Sequence, residues 1–112
     1  MISHCVFIRF RPEISRARRD ALFAEIDALR HTLIGIVAVY TGVNVSPEIG
    51  MDKGFAEGFI VDFDNAGSRD AYLMDPGHQK TGARLVAAAV GGGNGILVYD
   101  LDTGHCLVRQ AR

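Results

Sequence analysis

The chain has 112 residues, the size of one domain, and its 48% hydrophobic content is enough to fill a single core without metal or disulfide staples. With 12 basic and 13 acidic residues the net charge is −1, which excludes the basic excess that marks a nucleic-acid-binding face. No apolar run reaches the roughly 18 residues of a membrane span, no basic-then-apolar leader opens the chain, and Cys5 and Cys106 stand in no C-x-x-C pair. A reducing, cytoplasmic setting is expected, with no membrane or nucleic-acid partner.

Residues 2–10 alternate as a strand does: Ile2, His4, Val6, Ile8 and Phe10 share one face, and Ser3, Cys5, Phe7 and Arg9 the other. Neither face is wholly polar, so this strand should be covered on both sides, with Cys5 a reduced structural thiol. Pro12 ends it. Ser15 predicts an N-cap for a helix reaching about Arg30. Its apolar stripe is Leu22, Ile26, Leu29 and Leu33, and Gly35 closes it. Arg16, Arg18 and Arg19 in the first turn read as a solvated helix face that works slightly against the helix dipole.

A second strand is predicted from Ile36 to Val45, and residues 44–54 form a long connection rich in Gly, Ser and Pro. A third strand spans Phe55 to Phe63. Glu57, Phe59, Val61 and Phe63 lie on one side of it, and small residues such as Gly58 on the other permit a close approach. Asp64 or Asn65 caps a short helix holding Ala71, Tyr72 and Leu73, which Pro76 interrupts. The next helix packs through Leu85, Val86 and Ala87 to Val90. Gly91 to Gly95 is a turn, with no Lys-Ser/Thr after it and no helix to open, so it is not a phosphate loop. A last strand follows from Ile96 to Leu101. Residues 1–102 are read as the domain, and 103–112, with His105 and Cys106, as a tail.

The order strand, helix, strand, strand, helix, strand predicts an α+β fold: a four-stranded antiparallel sheet with its helices on one face. The other face still carries Cys5 and Phe7, and the sheet edges are unpaired. A second copy covering that surface, a homodimer, is the expected solution.

Four segments carry a family resemblance: Ile2-Ser3-His4-Cys5-Val6-Phe7-Ile8-Arg9-Phe10, then Gly42-Val43-Asn44-Val45-Ser46-Pro47-Glu48, Lys53-Gly54-Phe55, and Ala71-Tyr72-Leu73-Met74-Asp75-Pro76-Gly77-His78-Gln79. Together they resemble the stress-responsive dimeric α/β-barrel (Dabb) family across residues 2–101, the Tyr-x-x-x-Pro-x-His-Gln spacing being the most specific. The resemblance implies a ferredoxin-like monomer whose sheet packs on a second one as a dimeric α/β barrel. Most members have no assigned activity. A minority, similar to plant polyketide cyclases, close a linear polyketide acid into a ring by intramolecular aldol condensation, using a tyrosine and a histidine at the positions of Tyr72 and His78. The chain departs from that pattern in having Asp75 before Pro76, where the family usually has histidine, and an acid at Glu57.

On one unbroken helix Tyr72 and His78 would point apart, since six residues turn through about 240°. Pro76 allows both to face one cavity. His78 is then the candidate base, because imidazole titrates near neutrality, and Tyr72 the candidate donor to a developing oxyanion. His4, Glu57 and Phe59 are the candidate pocket residues, with Glu57 placed to orient an imidazole. No metal and no cofactor are expected, because no close ligand spacing such as H-x-x-x-H occurs. Three functions stay open: a cofactor-independent cyclase- or lyase-like enzyme on a small apolar carbonyl or acid, a non-catalytic binder of such a ligand, and a structural homodimer. Tyr72 packing its ring, and His4 or His78 satisfying local backbone, are the structural alternatives. His31 and His105 are assigned no role.

Overall fold

The computed structural model describes residues 1–104. His105 and Cys106 lie outside the described residues. Strand β1 (Ile2–Ile8) is followed by helix α1 (Arg16–Ala28), β2 (Ile36–Val43), β3 (Glu57–Phe63), α2 (Ala66–Met74), α3 (Pro76–Ala88) and β4 (Ile96–Asp102). Short 3₁₀ turns at Leu29–His31 and Gly92–Gly95 follow α1 and α3. The strands form one sheet in the order β2-β3-β1-β4, antiparallel throughout. This is the ferredoxin-like α+β fold.

The two-sided apolar alternation of β1 has its explanation in this order, since β1 is a central strand. On the helix side Val6, Ile8, Phe59, Val61 and Phe63 are buried against Leu22, Phe23 and Ile26 of α1, Tyr72 of α2 and Leu85 of α3. Phe23 bridges Phe10 and Phe59 through edge contacts at 5.8 and 6.1 Å. Helix α1 starts where the sequence predicts: the Ser15 hydroxyl accepts from the Arg18 amide at 3.1 Å. Leu29 and Leu33 are only half-buried, because α1 gives way to the 3₁₀ turn and the stripe loses its helical period.

Two expectations are corrected. In α3 the packing residues are Leu85 and Ala88, with Ala89 beyond the helix end, whereas Val86, Ala87 and Val90 are exposed. The run is uniformly apolar, so it carries no period of its own, and the 3.6-residue repeat selects Thr81, Leu85 and Ala88 for burial. The arginines of α1 are not simply a solvated face. Arg16 and Arg19 both pair with the Glu57 carboxylate, which is buried at the start of β3, and only Arg18 lacks such a partner among the described residues. An anion beneath the first turn also answers the helix dipole that these arginines oppose.

The opposite face of the sheet has no helix over it. Tyr40, Leu97, Tyr99 and Leu101 stand exposed there. Gly42 of β2 faces Gly58 of β3 in register and floors a concavity of 490 Å³ walled by Phe7, Tyr40, Phe55, Ile60 and Leu97. The close approach that Gly58 permits is made by β1 itself. A Cβ on Gly58 would stand 2.5 Å from the Val6 carbonyl oxygen and 2.6 Å from the Phe7 ring. Cys5 belongs to this face, yet it is only 4% exposed, and burial, followed by the charges of Asp100 and Asp62, pushes its thiol above the ordinary value. With little thiolate and little access, Cys5 should resist a disulfide reagent in the native state and react fully once the chain is unfolded in denaturant. Rapid labelling of the native protein at Cys5 would show that the neighbouring strands open.

Candidate functional site

The break at Pro76 brings Tyr72 and His78 together as the spacing allows, but not around the concavity described above. Asp75 ends α2 and at once caps α3: its carboxylate accepts the backbone N–H of His78 at 2.9 Å, and Pro76 takes the first helical position, where a missing N–H costs nothing. The resulting elbow turns His78 back onto Tyr72, with ring centroids 4.1 Å apart. Tyr72 is 1% exposed and packs edge-on against Phe63 at 5.0 Å and His4 at 5.7 Å. Tyr72, His78 and His4, drawn from α2, α3 and β1, therefore form one aromatic cluster between the helices and the sheet.

Within that cluster the Tyr72 hydroxyl and the His78 Nδ1 are buried with no hydrogen-bond partner among the described residues. Buried polar atoms almost always find partners, so two orphans side by side mark a place built for something other than packing. Burial, followed by the Asp75 carboxylate, raises the Tyr72 phenol well above its ordinary value, which keeps it protonated and able to donate. Burial and then the neighbouring His4 lower the His78 imidazole from its ordinary value, against a hydrogen bond with the Leu73 backbone and the charge of Asp75, both of which raise it. A neutral imidazole beside a protonated phenol is a base beside a hydrogen-bond donor.

His4 is 4% exposed, and its Nδ1 meets Asp100 of β4 at 2.7 Å. Asp100 is held in turn by Arg69 of α2 at 2.6 Å. Burial works against the charge on Asp100, but the hydrogen bonds from His4 and Arg69 prevail and keep its carboxyl below the usual range. Asp100 and Arg69 escaped the sequence reading, although a partial signal existed: Asp100 shares strand parity with Ile96 and Val98 on the helix side of β4, as Asp102 also does.

Glu57 and Phe59 are not brought to this cluster. Register places His4 opposite Val61 and Ile8 opposite Glu57, which puts Glu57 four residues, about 13 Å, along the strand from the His4 rung. The carboxylate expected to orient an imidazole instead serves Arg16 and Arg19, and Asp100 takes the place beside His4. Phe59 lies against Phe23 in the core. The 490 Å³ concavity opens on the other face of the sheet and includes neither Tyr72 nor His78. Among the described residues no cluster of three or more His, Cys, Asp or Glu is placed to hold a metal ion, and no helix is long and apolar enough to cross a membrane.

Known structures share this architecture. A dimeric ferredoxin-like protein of unknown function from Jannaschia sp. CCS1 is 32% identical, with 90% of this chain and 97% of that one covered and a TM-score of 0.83. An Arabidopsis thaliana protein (18% identity, 98% and 100% covered, TM-score 0.82) and the hydroxynitrile lyase of Passiflora edulis (17%, 89% and 90%, TM-score 0.76) share the fold. No curated protein matches the chain. The model of the stress-responsive A/B barrel domain matches residues 2–102. With that match over nearly the whole chain, and the Jannaschia protein alike in both sequence and fold, the chain belongs to the stress-responsive A/B barrel domain (Dabb) family.

Proposed function

We propose that the protein is a homodimeric, cofactor-independent acid–base enzyme acting on a small apolar carbonyl acid, with His78 as base and Tyr72 as donor. The pair of unpartnered buried atoms, Tyr72 Oη and His78 Nδ1, carries this reading. His78 takes a proton from the carbon between two carbonyl groups, and the C–H electron pair moves onto a carbonyl oxygen that receives the Tyr72 hydrogen bond. The enolate carbon then attacks a further, more distant carbonyl of the same molecule, and the imidazolium returns its proton to the new alkoxide. With Tyr72 only 1% exposed, ligand entry requires the α2–α3 elbow to move.

The first step can be followed without the natural substrate, as exchange of C2 deuterium into 3-oxooctanoate by NMR. Exchange should be catalysed by the wild type and abolished by His78→Ala. Because burial lowers the His78 pKa, the neutral form should persist down through pH 6.5 and the rate should fall only at more acidic pH. No catalysed exchange, or exchange that survives His78→Ala, would remove the enzymatic reading and leave the non-catalytic homodimer. That second reading has its own support in the closure over Tyr72 and in the concavity of the opposite face.

A second copy on the open sheet face suits either reading. Tyr40, Leu97, Tyr99 and Leu101 are exposed there, and the 44–54 connection beside it projects Val45 and Ile49, which are 87% and 98% exposed. The 32% identical Jannaschia protein is dimeric. Sedimentation at micromolar concentration should give a dimer, and Tyr40→Glu should give a folded monomer. A wild type that sediments as a stable monomer would rule the barrel out. The unpaired, buried Cys5 thiol accords with a reducing, cytoplasmic location.

A further inference from the structure

We propose that Asp100 is a positioning residue that fixes His4 with Nδ1–H directed at its carboxylate and Nε2 left bare beside Tyr72, and that Arg69 clamps Asp100 in place. This makes His4 a second acid–base group of the site, and it rests on the acid–base reading given above.

The arrangement is assembled from three elements. His4 and Asp100 are register partners across β1 and β4, on the face that carries the helices, so their side chains rise together toward α2. Nδ1 and Oδ1 meet at 2.7 Å. A carboxylate only accepts, so the proton in that bond is on Nδ1 whatever the charge of the ring. The ring's one remaining nitrogen is Nε2, and the ring packs edge-on to Tyr72 at 5.7 Å. A histidine whose far nitrogen is engaged by a carboxylate, here a partly exposed one, is the arrangement by which a base is held in one tautomer.

Arg69 adds a second link. It binds the other oxygen of Asp100 at 2.6 Å, with the Asp100 and Arg69 side chains 24% and 23% exposed. It belongs to α2, the helix that also delivers Tyr72 three residues later. Seating α2 on β4 therefore places the donor and locks the carboxylate that orients His4 in one movement. His78 has no comparable carboxylate: Asp75 accepts from its backbone amide, not from its ring. The two imidazoles are thus held differently, His78 by burial and His4 by a charged partner, a division that suits one to take a proton and the other to supply or relay it.

The test uses two readouts on the full chain. Long-range ¹⁵N–¹H correlation at alkaline pH, where imidazoles are neutral, reports the His4 tautomer directly. Wild type should show a single Nδ1–H form with a bare Nε2. Asp100→Asn, which keeps the shape but can turn an N–H toward the ring, should shift His4 to the Nε2–H form, and Arg69→Met should give a mixture. In the 3-oxooctanoate assay Asp100→Asn should lower the saturating exchange rate by about 10- to 100-fold with the half-saturating concentration unchanged, and Arg69→Met by less. A wild-type Nε2–H tautomer, or a tautomer unchanged in Asp100→Asn, overturns the proposal. So does a saturating rate within about twofold of wild type in Asp100→Asn while His78→Ala abolishes exchange. If the wild type catalyses no exchange, the acid–base reading falls by itself, and the nitrogen spectrum still decides whether Asp100 sets His4.

Discussion

Tyr72→Phe should slow exchange into 3-oxooctanoate by about 100-fold, the usual cost of removing one oxyanion donor, while making the protein more stable. The second half of that expectation comes from the orphaned hydroxyl. Tyr72 is 1% exposed and its Oη has no partner among the described residues, so folding strips water from the group without replacing the hydrogen bond. Removing the oxygen removes that penalty, on the order of 1 kcal/mol, and should raise Tm by about 4 °C. The ring keeps its contacts with Phe63, His4 and His78. A residue retained only for packing would show the same rise in Tm but leave exchange intact. The NMR assay distinguishes the two, and unchanged exchange would remove Tyr72 from the proposed chemistry; a lower Tm in calorimetry would show that the hydroxyl has a partner after all.

Phe63→Ala should destabilise the fold by about 3–5 kcal/mol, a large part of the roughly 5–15 kcal/mol that holds a typical domain together. Phe63 is fully buried at the end of β3 and touches both Tyr72 and His4. It is therefore the floor of the candidate site as well as part of the core. Phe59 provides the comparison: it is 3% exposed on the same strand face, but its aromatic contact is with Phe23. Urea midpoints should fall by similar amounts in Phe63→Ala and Phe59→Ala. The milder Phe63→Leu and Phe59→Leu should both fold, with only the first impairing exchange. Equal impairment in the two would mean that the rate follows global stability and not the support of Tyr72 and His4.

Sequence reading served best where structure is local. Alternation over residues 2–10 and 55–63 identified β1 and β3 and the sides on which their residues fall, and Ser15 marked the start of α1. The proximity of Tyr72 and His78 was legible for the same reason. The break depends on Pro76 and the Asp75 cap, both within the six residues that separate the pair, so no distant part of the chain was needed to foresee it.

It served worst where two distant segments choose each other. Glu57 and Asp100 are each an acid on a core-facing row of a strand, and parity alone does not say which meets a histidine. Strand pairing decides: β4 docks on β1 with Asp100 opposite His4, while Glu57 sits at the far end of the β1–β3 ladder, over the first turn of α1. The exposure of Val86 and Val90 likewise follows from which side of α3 faces α1 and the sheet, a choice that an unbroken apolar run does not encode. Sequence by itself determined the elements, their order, the two faces of the sheet and the Tyr72–His78 elbow, because backbone preference and side-chain periodicity act over a few residues. Only the tertiary structure decided that Asp100 and Arg69 belong with His4, and Glu57 with Arg16 and Arg19. Those partnerships join residues as many as 96 positions apart, and they exist only once strand register has brought the segments together.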